Sequence, residues 1–223
     1  MKSKKPLIAL AICTPFLLAC ADKAVNAYEP ADGSATSAAA NKDPLNTTHT
    51  VTAEIGPDSP YAEGAPRPSR EPDVIYVPTP EPVVDAMLNL AGVKEGDVLY
   101  DLGSGDGRIP IAAAQRFGVR AVGIDINPVR VREANANAET AGVTNLVTFK
   151  EADLFEEDIS EASVVTLYLL QSLNVKLRPK LLAELKPGTR IVSHAFDMAD
   201  QWTPEQTQEV DGTRIYLWTV PER

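Results

Sequence analysis

Two cysteines, Cys13 and Cys20, are all that 223 residues contain, and both lie in or beside the N-terminal apolar run. No pair is left to cross-link a folded domain. With only His49 and His194 as histidines, no Cys/His group has the spacing of a metal site, and no metal is expected. Positive charge is scarce too: 21 Lys and Arg face 31 Asp and Glu, a formal charge of −10. Lys2, Lys4 and Lys5 fall within the first 19 residues, and the chain without these three positive charges carries −13. That balance argues against nucleic acid, because phosphate binding needs clustered Lys and Arg. A basic protein acceptor stays compatible with it. The N-terminal apolar run is short for a membrane span of about 20 residues and is broken by Pro15.

What the N-terminus does have is a lysine-rich start, an apolar core over residues 6–12 and Leu17-Leu18-Ala19-Cys20. This is the layout of a secretory signal over residues 1–19. The last four residues resemble a bacterial lipobox. The resemblance implies cleavage before Cys20 and lipid on its thiol, with acyl chains holding the protein at a membrane. Ala21 after the cysteine implies the outer membrane or cell envelope of a Gram-negative host; an unused signal leaves the chain cytoplasmic. The alternative is an uncleaved anchor helix whose cysteine is incidental. Residues 20–70 are rich in Ala, Ser, Thr, Asn, Asp and Pro, with few large apolar side chains to offset chain entropy. They are expected to form a disordered tether.

From Glu71 to the end the pattern is that of one folded domain. Val74 to Val77 is an extended apolar segment ended by Pro78 and Pro80, and residues 81–91 have helical spacing, with Thr79 as a candidate N-cap. Strands are expected at Val98–Leu102, Ala121–Ile124, Leu146–Phe149, Ser163–Leu169, Arg190–His194, Gln208–Val210 and Arg214–Val220. Helices are expected at Ile109–Phe117, Pro128–Ala141 and Leu173–Leu185, the last kinked or restarted at Pro179. Near-continuous apolar strands separated by amphipathic helices predict an α/β fold: a Rossmann-like, doubly wound, mostly parallel seven-stranded sheet. Asp211-Gly212 predicts a terminal antiparallel hairpin.

The chemistry centres on Asp101-Leu102-Gly103-Ser104-Gly105-Asp106-Gly107-Arg108, where a strand turns through alternate glycines into a helix. Such a turn lets backbone approach a ligand and offers unpaired helix N–H groups. The spacing is neither G-x-G-x-x-G nor a P-loop, and no lysine follows. Asp101 and Asp106 would repel a pyrophosphate. A cationic, phosphate-free ligand fits better: a sulfonium bearing an amino group, as in S-adenosylmethionine.

Those eight residues resemble the first motif of the class I S-adenosylmethionine-dependent methyltransferases. Gly123-Ile124-Asp125-Ile126-Asn127-Pro128 resembles their second motif, Glu151-Ala152-Asp153-Leu154-Phe155 their third, and Leu185-Lys186-Pro187-Gly188-Thr189 the segment before strand five. Four motifs in register, from about Tyr76 to His194, imply S-adenosyl-L-methionine as cofactor. By that resemblance Asp101 accepts from the methionyl ammonium, directly or through water, and Gly103, Gly105 and Gly107 bring backbone to the donor. Asp125, 24 positions beyond Asp101, takes the ribose hydroxyls, a placement shared with dinucleotide folds. Asp153 accepts from the adenine amino group, with Ile126 and Leu154 against the ring. Read singly, each acid is better taken as a strand-end turn former; three at successive strand ends favour binding.

Tyr76-Val77-Pro78-Thr79-Pro80, the glycine loop, Asn127-Pro128 and the apolar strand at Val164–Leu170 together look like a narrower group. It holds the membrane-associated protein-lysine methyltransferases of mitochondria and their bacterial relatives. This implies a segment closing over the donor, with Thr79 at its carboxylate, and a protein lysine as acceptor. The stretch from Thr166 to Asn174 lacks the Asn/Asp-Pro-Pro-Tyr of enzymes acting on bases or glutamine. Tyr168, Gln171 and Asn174 are candidate acceptor contacts at the carboxyl ends of strands. His194 and Asp197 are candidates to assist proton removal. Core packing is the competing role for Tyr168 and His194. The acceptor is a protein or a small molecule. The alternative to an enzyme is a non-catalytic, membrane-anchored lipoprotein that uses the fold as a binding module; a dehydrogenase is disfavoured by the loop spacing.

Overall fold

A computed structural model describes residues 68–223. The signal segment, Cys20, His49 and all of the tether before residue 68 lie outside the described residues.

Helix α1 runs Glu81–Leu90 and buries Val83, Val84, Met87 and Leu88, the face that the helical spacing marks out. Its N-cap is Pro80 rather than Thr79, and no side chain caps it. The Pro80 carbonyl accepts from Val83 and Val84, while the Thr79 hydroxyl turns towards His194 instead. Then the chain alternates: β1 Val98–Leu102, α2 Arg108–Phe117, β2 Arg120–Asp125, α3 Pro128–Ala141, β3 Val147–Glu151, β4 Val164–Leu167, α4 Gln171–Glu184 and β5 Arg190–His194. A short 3-10 turn at Ala199–Gln201 leads to β6 Gln206–Val210 and β7 Thr213–Thr219.

The strands form one sheet in the order β3-β2-β1-β4-β5-β7-β6. The first five are parallel; β7 pairs antiparallel with both β5 and β6. The β6–β7 turn is Asp211-Gly212, both at positive φ, the geometry that a two-residue hairpin requires. This is the expected seven-stranded fold with its terminal hairpin.

Successive strand residues face opposite sides of the sheet, so two apolar clusters form. Leu99, Ala121, Val147, Val164 and Val192 pack under α1, α2 and α3. Tyr100, Leu102, Ile124, Val165, Leu167 and Ile191 pack against Leu177, Leu181 and Leu185 at α4 and its end. Pro179 lies inside α4 without ending it. Proline removes one helical N–H donor, and the helix is carried through by Leu177 and Leu181, both fully buried on the sheet. The order reverses between β1 and β4, and the cleft outside the carboxyl ends of these strands is where such a sheet binds ligands.

Candidate active site

Beyond β1 the chain bends back on β2: the N–H groups of Gly103 and Ser104 both donate to the Ile124 carbonyl, at 2.8 and 3.0 Å. Asp125, ending β2, fixes the rest of the loop. Its Oδ2 accepts from the Gly105 N–H at 2.9 Å and its Oδ1 from the Asn127 N–H at 2.8 Å. Each oxygen keeps a further lone pair for a hydroxyl donor. Asp101 is 2% exposed, and its Oδ1 accepts from the Thr166 hydroxyl on β4 at 2.6 Å. Burial pushes its pKa up to about 7; the Thr166 bond opposes this, and the Asp125 and Asp106 carboxylates add to it. A buried acid with so little compensation suits a cation arriving beside it.

The segment before α1 forms the opposite wall. Tyr76 packs against the loop: a Cβ built on Gly105, whose φ is +52°, would stand 2.4 Å from its ring. The glycine is needed there as much for Tyr76 as for any ligand. The Arg130 guanidinium sits 4.7 Å from the Tyr76 ring centroid. Arg108 grips Asp106 with Nη2 at 2.6 Å and donates from Nη1 to the Thr79 carbonyl at 2.9 Å. Asp106 is therefore neutralised by its own loop, and the acids left to a cation are Asp101 and Asp125. At the far end Arg70 Nε meets Asp153 Oδ2 at 2.8 Å, and its Nη1 meets Asp73 at the same distance. The Arg70 bond holds the Asp153 carboxyl below its ordinary range.

These walls enclose a cavity of about 560 Å³, within the usual range for small-ligand sites. Thr79, Asp101, Gly103, Gly105, Asp125, Ile126, Asp153, Leu154 and Tyr168 all line it. Gly107 does not. At φ +80° it is the N-cap of α2, and an added Cβ would meet the Phe149 ring at 2.5 Å, so its lack of a side chain serves packing. Asn174 also lies away from the cavity, fully buried; its amide donates to the Phe196 carbonyl at 2.9 Å and to Ser193 Oγ at 3.2 Å, holding the loop after β5. His194 sits behind the wall. Its ring packs 3.8 Å from that of Tyr168, and its Nδ1 lies 3.3 Å from the Thr79 hydroxyl. Burial lowers its pKa to about 4, so at neutral pH it is an uncharged imidazole and a weak proton acceptor. Asp197 hydrogen-bonds Gln171 at the start of α4. Arg70, expected as the last tether residue, belongs instead to the cavity wall. Its partner lies 83 positions away, and no local pattern announces such a pairing.

Residues 101–206 match the ANTKMT methyltransferase domain family. A protein-lysine N-methyltransferase of Saccharolobus islandicus is 51% identical over 156 residues, which are 68% of this chain and 96% of that protein. The chain belongs to this family of class I methyltransferases. A solved structure described as an RNA methyltransferase from Salinibacter ruber, in complex with S-adenosyl-L-homocysteine, is 60% identical at a TM-score of 0.65; the match covers 66% of this chain and 95% of that one. An adenine nucleotide translocase lysine N-methyltransferase of Mus musculus is 34% identical over 148 residues, 66% of this chain and 63% of that protein. The methyltransferase uses S-adenosylmethionine, and its cavity suits that molecule. A buried acid stands at one end, an acid with spare lone pairs in the middle, and the apolar side chains of Ile126, Leu154, Leu169 and Leu173 line the walls.

Proposed function

We propose that this enzyme methylates lysine side chains of a protein. The observation that carries the reading is the 51% identity across nearly the whole length of a protein-lysine N-methyltransferase. The walls of the cavity support it. Each arginine that lines it already has a carboxylate: Arg70 has Asp153 and Asp73, Arg108 has Asp106, and Arg130 has Glu133 at 2.6 Å. A phosphate backbone meets no unpaired cation there, and the chain carries −10 overall. Bound S-adenosylmethionine supplies an electrophilic methyl group on a sulfonium. Asp101 would hold its ammonium, Asp125 its ribose, and Asp153 its adenine amino group once Arg70 yields or shares that carboxylate. Ile126 and Leu154 would face the purine. On the acceptor side Tyr168 is the polar residue of the three candidates that reaches the cavity; His194 backs it, and Asn174 holds the adjoining loop. Displacement at a methyl group needs alignment and an uncharged amine. A neutral His194 fits a positioning role better than that of a base.

The description of the Salinibacter ruber relative favours a second reading, in which RNA is the acceptor. Incubating the full chain with methyl-labelled donor, host protein and host RNA separates the two. Label on lysine in a protein band is expected; label in RNA alone would overturn the proposal. We also propose, on the pattern of residues 1–20 alone, that Cys20 carries lipid and holds the enzyme at the cell envelope.

A further inference from the structure

Large apolar side chains exposed to solvent number four among the described residues: Ile75 at 86%, Val77 at 49%, Leu170 at 46% and Tyr76 at 40%. Single exposed apolar residues are ordinary; a cluster marks an interaction surface. Three of these are consecutive, and the fourth follows Leu169 and precedes Leu173, two residues of the cavity wall. Among the described residues, three of these four side chains thus border the cavity, and Leu170 adjoins its wall in sequence.

The backbone beneath them is just as distinctive. Pro72 and Val74 are half-buried, whereas the run from Ile75 to Pro78 is exposed, after a bend at Asp73 and Val74. Tyr76 sets its ring beside Gly105, while Ile75 and Val77 border the same cavity and stay largely exposed at its rim. From Val74 to Pro78 no backbone N–H or carbonyl is hydrogen-bonded to another described residue. The segment is nonetheless fixed at both ends, through Arg70 to Asp153 and through Thr79 to Arg108. It is an anchored segment outside any helix or strand, with no partner strand among the described residues.

We propose that Val74–Val77 is the docking strand for the acceptor: an extended segment of the target protein pairs with its backbone and sets apolar side chains flanking the target lysine against Ile75, Val77 and Leu170. Strand addition of this kind takes affinity from main-chain bonds and specificity from alternate side chains. The occupant follows from position, since the strand borders the mouth through which an acceptor must approach the donor. A lipid surface would use the apolar side chains but not the main chain, which has no partner among the described residues. The inference rests on the protein-lysine reading and names which polypeptides qualify.

The test uses the full chain and three synthetic lysine peptides: one with Ile, Leu and Val flanks, one with Ser and Gly flanks, and the first with its alternate flanking amides N-methylated. Methylation kinetics are read with each. Binding is read by fluorescence anisotropy with labelled copies in which arginine replaces the lysine. For the wild-type enzyme a KM roughly tenfold lower is expected for the apolar peptide than for the polar one, well within the reach of two partly buried side chains. Amide N-methylation should remove most of that advantage. In the double variant Ile75→Ser, Val77→Ser the ratio between the first two peptides should fall towards one, a readout that general damage to the fold would leave in place. Equal KM values for all three peptides overturn the docking strand and leave lysine methylation standing. Apolar peptide that binds but is never methylated keeps the strand and removes the lysine reading. Binding to neutral phospholipid vesicles that depends on Ile75 and Val77, without peptide preference, assigns the patch to a lipid surface and overturns the proposal.

Discussion

Replacing Asp101 with asparagine should make the protein more stable and a poorer donor binder at once. The asparagine side chain keeps the acceptor for the Thr166 hydroxyl and loses the charge. Folding raises the Asp101 carboxyl from 3.8 to about 7, so between those values the folded chain holds more protons than the unfolded one. Stability from this group is therefore lost as pH rises from 3.8 through 7, and the full cost is reached above 7. The shift corresponds to about 4 kcal/mol at pH 8 and roughly 2 kcal/mol at pH 5, which set the ceiling for the gain from Asp101→Asn. His194 works in the opposite direction, because its pKa is depressed to about 4 and its contribution is lost as pH falls from 6.5. The comparison between wild type and variant removes it. Urea unfolding without donor, at pH 5 and pH 8, measures the gap. Calorimetry with S-adenosylmethionine should show affinity falling by roughly ten- to a hundredfold, the worth of one hydrogen bond to a charged group. A variant no more stable than wild type at pH 8, or a gap that widens towards pH 5, would refute the argument that burial governs this acid.

The same ionisation makes donor binding release a proton below pH 7, so calorimetric heats at about pH 6 should depend on the buffer's ionisation enthalpy in wild type and not in Asp101→Asn. Gly105→Ala places a side chain at φ +52° and 2.4 Å from Tyr76; a loss of roughly 1–3 kcal/mol is expected in thermal unfolding, together with weaker donor binding. Arg108→Gln frees the Thr79 carbonyl and should speed donor dissociation roughly three- to tenfold in stopped-flow measurements, with little change in Tm because the residue is partly exposed. Cys20→Ala should abolish incorporation of labelled palmitate and move the protein out of the membrane fraction; unchanged label and position would refute lipid attachment.

Where local chemistry decides, the sequence is easy to read. Helix α3 and strand β5 fall where expected to the residue, because Asn127-Pro128 and Gly142 bound the helix and Pro187-Gly188 precedes the strand. Strand β4 is shorter than its apolar run: Tyr168 and Leu169 leave the sheet to line the cavity while keeping the hydrophobicity of a strand. Strand β6 begins two residues early in a wholly polar run, Gln206 to Glu209, and is recognisable only through its partner β7. The site divides in the same way. The acids at the ends of β1 and β2 and after β3 are spaced by the fold and can be found by counting. The contacts of Arg70 with Asp153 and of Arg130 with Tyr76 join distant positions by tertiary packing and have no local signature. Gly107 and Asn174 show the converse: their residue types suit a binding site, but Phe149 and the loop after β5 claim them.

Residues 70–79 form one wall of the donor cavity and, in the docking reading, one edge of the acceptor's seat. Were the nucleoside product to leave past that wall, a polypeptide paired along Val74–Val77 would stand across its way. Each encounter would then deliver a single methyl group before the target must let go. A lysine that ends up with two or three would acquire them in separate visits, and partly methylated protein would accumulate early in the reaction.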